Sequence, residues 1–495
     1  MSDNRDLIRT KDEDIFRLEE ILALLSWDQE TGMPEKAIEG RSDQMAWIQR
    51  QISDRITDPQ WESLLLSLNS KAKSLEDKVW SENLSRRYRL NKCLPVEFMS
   101  EFVRTTSIAR DAWQQARKEE DFSLFQPYLE KVVDMVRKRA ELTGYDGEPY
   151  NALLDIYEPG MTADKLESIF NPLQEALIPL IDKAIFLQEP KAPGVFSYDV
   201  EKQKKLHLQL LDKMGYDLRR GRMDFSVHPF TTTPGSKDIR ITTHLMEDDF
   251  LNGLYSTMHE GGHGLYEQNL PALWARTMNG QACSLGFHES QSRLWENIIG
   301  RSRAFWDYFA PLMKNYFPQQ MRGQNETSLF LFSNRVERSL IRVDADEFTY
   351  NLHIILRFRL ERMIVNGEAK VSELPELWKE ESRKLLEVVP ETLCEGVLQD
   401  IHWSLGDWGY FPTYTLGNLY SAQLWASLKR DIPHVDSRIG QGDFSTILSW
   451  LTEHVHQSAS MLSPDKMIKE ISGETLNSRY FIDYLKGKLN DLYAD

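Results

Sequence analysis

The sequence predicts a mainly α-helical body carrying one small antiparallel β-sheet. Three observations lead there. Apolar residues recur at helical spacing over roughly 11–25, 40–53, 122–143, 163–187, 325–365 and 443–460. Only the stretch from about 223 to 245 alternates as a strand does. No Gly/Ser-rich or Pro-rich linker, low-complexity run or fixed-period repeat divides the 495 residues. Length alone would allow two or three domains, but the uninterrupted pattern favours one large helical body with a cleft.

Along the chain, the first departure from helix comes at Met223-Asp224-Phe225-Ser226-Val227-His228-Pro229-Phe230 and Lys237-Asp238-Ile239-Arg240-Ile241-Thr242-Thr243-His244-Leu245. With Thr233-Pro234-Gly235 between them, these read as an antiparallel hairpin. The run Asp248 to Tyr255 then looks like a capped helix start. It places Leu251, Tyr255, His259 and His263 on one stripe, and Pro271 closes the pattern.

That helix contains Thr257-Met258-His259-Glu260-Gly261-Gly262-His263, an H-E-x-x-H motif. On a helix, residues four apart stack on one face, so both imidazoles point at a common spot. Glu260 is rotated by about a hundred degrees and can reach a water bound there. Nitrogen ligands suit a borderline-soft ion, and a carboxylate suits the water that such an ion acidifies. Gly261, Gly262 and Gly264 each cost about 1 kcal/mol against Ala in a helix. Crowding them into one turn points to a close approach of backbone or substrate, or else to a helix break. The bland alternative is a solvated helix face that happens to carry two histidines.

A catalytic zinc takes three protein ligands and leaves a position for water. The segment Gly286-Phe287-His288-Glu289-Ser290-Gln291-Ser292-Arg293-Leu294-Trp295-Glu296-Asn297 begins a second helix near Gly286. Glu289 is preferred as the third ligand because the preceding turn brings it closer to the first helix; Glu296, two turns on, is its rival. His288 reads either as a substrate contact or as an ordinary polar residue at a helix start. A structural zinc site is disfavoured, since no fourth His or Cys lies at sensible spacing.

The chain resembles the carboxypeptidase Taq family of metallocarboxypeptidases along nearly its whole length. Besides His259-Glu260-Gly261-Gly262-His263 it carries, in order, Asp238-Ile239-Arg240-Ile241-Thr242, His288-Glu289-Ser290-Gln291, Ile341-Arg342-Val343-Asp344-Ala345-Asp346 and Gly396-Val397-Leu398-Gln399-Asp400-Ile401-His402-Trp403. Leu25-Ser26-Trp27-Asp28-Gln29-Glu30-Thr31 also has that family's look. The resemblance implies release of single residues from the C-terminus of peptides, with Glu289 as third ligand and zinc, or alternatively cobalt, at one ion per chain. It also implies a homodimer and a saddle-shaped fold with a deep central cleft, related to neurolysin and angiotensin-converting enzyme. The whole chain, 1–495, is then one catalytic domain, helical to about 200 and carrying the metal site beyond.

An exopeptidase must hold a terminal carboxylate at a fixed distance from the metal, and arginine's planar fork does this better than lysine. Arg240, on the expected strand, and Arg342, in a helical pattern beside Asp344 and Asp346, are the candidates; an ordinary ion pair is the alternative for Arg342. An edge strand beside the cleft could hold an extended peptide by main-chain hydrogen bonds. The segment His402 to Asn418 is dense in aromatics and glycine. In related gluzincins a His and one or two Tyr follow the zinc motif at long range, so His402, Tyr410 and Tyr414 are the expected oxyanion donors, with core packing as the alternative. In the expected mechanism Glu260 takes a proton from the metal-activated water and returns it to the leaving amine.

The net charge of −17 disfavours nucleic acid and anionic membrane partners. No apolar run is long enough to span a bilayer, and the start lacks the basic-then-apolar pattern of a secretory signal. Three cysteines make a disulfide framework implausible and fit a reducing cytoplasm. Cys283 is expected to be a buried thiol. The competing functions are an oligopeptidase or dipeptidyl carboxypeptidase on the same metal site, or a non-catalytic helical binding protein with a vestigial site. The second is disfavoured because Glu260, the residue such a protein would lose first, is present.

Overall fold

The computed structural model describes residues 2–188 and 196–493. The chain divides into two compact units, each assembled from three stretches of sequence. The first comprises Met1–Lys92, Lys191–Ser333 and Tyr420–Thr475; the second comprises Cys93–Pro190, Asn334–Leu419 and Leu476–Asp495. Both are mainly helical, and no described helix is long and apolar enough to cross a membrane.

The first unit opens with helices Ser2–Thr31 and Ile38–Ile56, longer than the sequence pattern suggests, and Gln60–Lys71 and Leu75–Lys92, which that pattern did not mark. Ile8, Ile15, Ile48, Ile52, Trp61, Leu64 and Trp80 are among the side chains of their shared core. Asp12 is buried within it and accepts the Trp80 indole N–H at 2.8 Å.

The sheet is mixed, which corrects the antiparallel hairpin expected from sequence. Its strands are β1 (Gly221–Phe225), β2 (Thr231–Gly235) and β3 (Asp238–Thr243), in the order β1-β3-β2. β1 and β3, the two stretches expected to pair antiparallel, run parallel with Arg222 opposite Arg240. The segment expected as the turn is itself β2, antiparallel to β3 and irregular between Thr232 and Gly235. Pro234 is tolerated because β2 is an edge strand, where a missing N–H costs no ladder bond. The actual tight turn is Ser236-Lys237.

The helix Phe250–Asn269 carries the H-E-x-x-H motif and is unbroken through its glycines, with Asp249 capping it by accepting the Asn252 N–H. A second helix, Leu285–Arg293, is capped by Ser284 and continues into a π-helical turn, Leu294–Ile299. Such turns insert an extra residue into the helical repeat and are frequent at functional sites.

In the second unit Ala163–Leu187 matches the expected 163–187 helix despite Pro172 and Pro179. The long pattern at 325–365 does not hold as one helix. It divides into Glu326–Ser333 of the first unit and Tyr350–Val365 of the second, and Arg342 lies in a single 3-10 turn, Arg342–Asp344. Asp346 explains the interruption: its carboxylate accepts the N–H groups of Glu337, Phe348 and Thr349 and the Thr349 hydroxyl. A short acidic side chain that captures local donors competes with helical hydrogen bonding. The 443–460 pattern likewise shortens to Ser445–His454, followed by a kinked 3-10 segment with Ala459 at φ 45°.

Candidate active site

The motif helix and the Leu285–Arg293 helix meet in main-chain contact at Gly262. A Cβ there would lie 2.7 Å from the Gln291 carbonyl oxygen and 2.8 Å from Ser292 Cα. Only glycine allows that separation, and the separation brings Glu289 under the histidines. Glu289 Oε2 lies 3.5 Å from His259 Nε2 and 3.3 Å from His263 Nε2. Among the described residues these three form the one His/Cys/Asp/Glu group able to hold a metal, with donor atoms all within 4.8 Å of one another.

Glu296, the rival to Glu289, reaches the same histidine from its other side. From the π-helical turn its Oε2 accepts the His259 Nδ1–H at 2.8 Å. Arg293 is shared between the two carboxylates, 2.7 Å from Glu289 and 3.3 Å from Glu296. His259 thus lies between two carboxylates, and His263 shares one of them.

The electrostatics are those of a cation site. Burial opposes ionisation of Glu289, but Arg293, His259 and His263 outweigh it and hold the carboxyl well below its usual range. Burial acts likewise on Glu296, which Arg293 and His259 bring down to about 2. Burial also pulls His259 down, but Glu289, Glu296 and Glu260 raise it to about 9. His263 falls to about 3 through burial, with His288 adding to the effect. Two imidazole nitrogens and one carboxylate oxygen suit a divalent ion of the zinc type, with three protein donors as in a catalytic site.

Glu260 is not one of the converging donors. It is buried, and its Oε2 accepts the Thr231 hydroxyl from β2 at 2.6 Å. Burial raises its pKa against the opposing pull of His259 and Thr231. His288 stacks on His263, with ring centroids 4.5 Å apart and planes at 23°. Its Nε2 is 2.9 Å from Glu267, which also accepts the Thr233 hydroxyl. A cavity of about 460 Å³ opens here, lined by Thr231, Thr232, Thr233, Glu267 and His288, with Lys237 and Arg276 also on its wall. Cys283 is a buried thiol, as expected.

Arg240 on β3 is held by both oxygens of Asp238, at 2.8 and 2.7 Å, and its guanidinium lies 4.3 Å from the Trp27 ring. Arg222 of β1 stacks on the same ring at 5.0 Å. Two of the matched motifs thus meet: the D-x-R-x-T strand and Trp27 of the N-terminal helix.

The second unit holds the other candidates. Arg342 is 7% exposed and directs Nε and Nη2 to Asp400 Oδ1, at 3.0 and 2.9 Å, and Nη1 to the Tyr350 hydroxyl at 3.2 Å. Gln399 accepts the Arg342 main-chain N–H. His402 stacks with Tyr410, and its Nε2 is 3.4 Å from the Tyr414 hydroxyl. Burial lowers the His402 pKa to about 4, so the ring is neutral near pH 7 and retains one N–H to donate.

Three residues with evident parts here escaped the sequence reading. Thr231 lies in the supposed turn, and nothing in its surroundings marked it. Glu267 lies one helical turn beyond His263 and could have been suspected from that. Arg357, which donates to Asp400 Oδ2 at 2.6 Å and to Gln399 Oε1 at 2.7 Å and so shares Asp400 with Arg342, gave the clearest signal, a charge inside the apolar run Ile354-Ile355-Leu356-Arg357-Phe358.

A sequence model of the carboxypeptidase Taq (M32) metallopeptidases matches residues 8–489. Thermostable carboxypeptidase 1 of Pyrococcus furiosus is 40% identical over 477 residues, 94% of either chain. Carboxypeptidase 1 of Bacillus subtilis is 39% identical over 484 residues, 97% of this chain and 96% of that one. The crystal structure of an M32 carboxypeptidase from Deinococcus radiodurans superposes with a TM-score of 0.97 at 36% identity, covering 99% of this chain and 100% of that one. The match of motifs, fold and nearly full length has one meaning: the chain belongs to the carboxypeptidase Taq (M32) family of metallopeptidases, and it is a metallocarboxypeptidase.

Proposed function

We propose that this enzyme releases single amino acids from peptides bearing a free C-terminal carboxylate, with Glu260 as general base. The observation that carries the reading is the convergence of His259, His263 and Glu289 on one point while Glu260, next in sequence to His259, takes a separate partner in Thr231. One zinc ion per chain, or alternatively cobalt, held by those three residues would supply Lewis acidity toward the scissile carbonyl and the attacking water. Glu260 accepts that water's proton and delivers it to the leaving amine.

Of the two arginines, Arg342 is the better carboxylate clamp. Arg240 is matched one to one by Asp238 and covered by Trp27, which suits an anchor for the N-terminal helix. Arg342 shares its carboxylate partner with a second arginine, Arg357, and so retains attraction for an anion. His402, Tyr410 and Tyr414 are assigned to hydrogen bonding with the oxyanion, and His288 to substrate along the cavity it lines. With this reading go the remaining expectations: one catalytic domain over 1–495, a neurolysin-like fold with a deep cleft, a homodimer, and a cytoplasmic location.

The test compares one peptide as free acid and as C-terminal amide, with and without chelator, with products followed by mass spectrometry. Stepwise loss of single residues from the free acid alone, abolished by chelator and restored by zinc or cobalt, is the expected result. Internal cuts in both forms would make the enzyme an oligopeptidase.

A further inference from the structure

Within the second unit, one carboxylate serves two buried guanidiniums. Asp400 Oδ1 accepts from Arg342, and Asp400 Oδ2 accepts from Arg357 Nε at 2.6 Å. Arg357 is fully buried. It also donates to Gln399 Oε1 at 2.7 Å and to the His353 carbonyl at 2.9 Å, and it lies 4.7 Å from the Trp378 ring. Gln399 and the His353 carbonyl are neutral, so they satisfy the hydrogen bonds of Arg357 but not its charge.

The arrangement is uncommon because it is expensive. An ion pair withdrawn from water needs close matching of charge, and two cations on one anion are not matched. Burial and the neighbouring Arg342 both press against the charge on Arg357, with Asp400 opposing them. The next carboxylate, Glu361, is occupied by Tyr150, Trp403 and the Gly409 N–H, and it feels Arg357 only at longer range. Were Arg357 apolar, Asp400 would belong to Arg342 alone, and a bidentate, mutually neutral pair would have little left to offer a third partner.

We infer that Arg357 is a positioning residue for substrate: by taking half of Asp400 it keeps Arg342 short of neutralisation and so able to bind the C-terminal carboxylate of a peptide. Arg357 touches no substrate in this scheme. Its effect passes through Asp400, which also fixes the plane of the Arg342 fork. This inference rests on the proposed role of Arg342 as the clamp.

The test uses the metal-loaded enzyme and a pair of peptides, free acid and amide. Arg357→Met keeps approximate volume and removes the charge. It should raise KM for the free acid by about tenfold with kcat nearly unchanged, because a lost ground-state contact of this kind weakens binding uniformly. The preference for acid over amide should narrow by the same factor. Arg357→Lys keeps a cation beside Asp400 and should restore most of the affinity, which a purely structural role would not predict. An unchanged KM in Arg357→Met, or equal losses on acid and amide, overturns the inference. Should Arg357→Met fail to fold, a Lys variant as poor in KM as Arg342→Met overturns it instead. Arg342→Met separates the two readings. If it leaves KM and the acid preference intact, the clamp assignment itself falls; if it abolishes the preference while Arg357→Met does not, only the sharing of Asp400 falls.

Discussion

Glu296 accepts the Nδ1–H of His259 at 2.8 Å, and that hydrogen bond leaves Nε2 as the nitrogen directed toward Glu289. A histidine held in this way has its ring plane fixed, and its Nδ1 keeps a proton for Glu296 when Nε2 gives up its own to bind a metal. Glu296→Gln should therefore lower metal affinity by about 10–100-fold without unfolding the protein. Metal titration followed by thermal melting would check both parts; unchanged affinity would remove Glu296 from the site.

Glu260 stands apart from the three converging donors, so its loss should be felt in turnover alone. Glu260→Gln is expected to reduce kcat by about 10²–10⁴-fold while the protein still binds its metal. A Glu260→Gln protein that loses the ion would show that the carboxylate serves as a ligand.

Thr231 donates to Glu260 from the edge strand and fixes the carboxylate's direction. A hydrogen bond to a charged group is worth about 1.5–3 kcal/mol. Thr231→Val should lower kcat by about tenfold or more with KM little changed, and Thr231→Ser should recover most of it. A drop in Thr231→Val that Ser does not recover would point to packing of β2 instead.

Gly262→Ala places a methyl against the main chain of Gln291 and Ser292, neither of which is a flexible side chain that can swing aside. Overpacking of this kind costs about 1–3 kcal/mol, and the helices must separate to relieve it. Reduced thermal stability together with weaker metal binding is expected. A variant destabilised but binding metal normally would show that Glu289 follows the motif helix regardless of spacing.

Burial raises the Asp400 carboxyl, but Arg357 and Arg342 pull harder and hold it well below the value of 3.8 expected for an exposed Asp. A depressed folded-state pKa means stability that is fully present above the unfolded value and lost as pH falls below it. Asp400→Asn should cost about 3–5 kcal/mol near neutral pH, because it strands two buried cations. Denaturant unfolding at several pH values should show the gap between wild type and variant closing below about pH 4. A gap constant with pH would mean that the ion pairs contribute nothing.

Much of the candidate metal site was legible because helix periodicity is rigid: four residues bring His259 and His263 to one face wherever the helix lies. The structure sets Glu289 beside Nε2 of both histidines and Glu296 at Nδ1 of His259, an outward placement of Glu296 that was not foreseen. It depends on the π-helical turn, which no residue spacing announces. The sheet was misread because Pro234-Gly235 is a turn signal in isolation, and only its place on an edge makes it a strand. The 325–365 helix failed because periodicity does not register one acidic side chain gathering four local donors at Asp346. Arg357 was not singled out, since its meaning depends on Asp400, forty-three positions later.

The Gly262 contact has a further consequence. Side chains can be exchanged, shaved or repacked as a lineage drifts, but a peptide unit is the same in every protein. Where two backbones touch directly, their spacing is gauged by covalent geometry and not by any residue that mutation can resize. The spacing of His259, His263 and Glu289 is in that sense calibrated against a constant, one that resizing a neighbouring side chain does not alter.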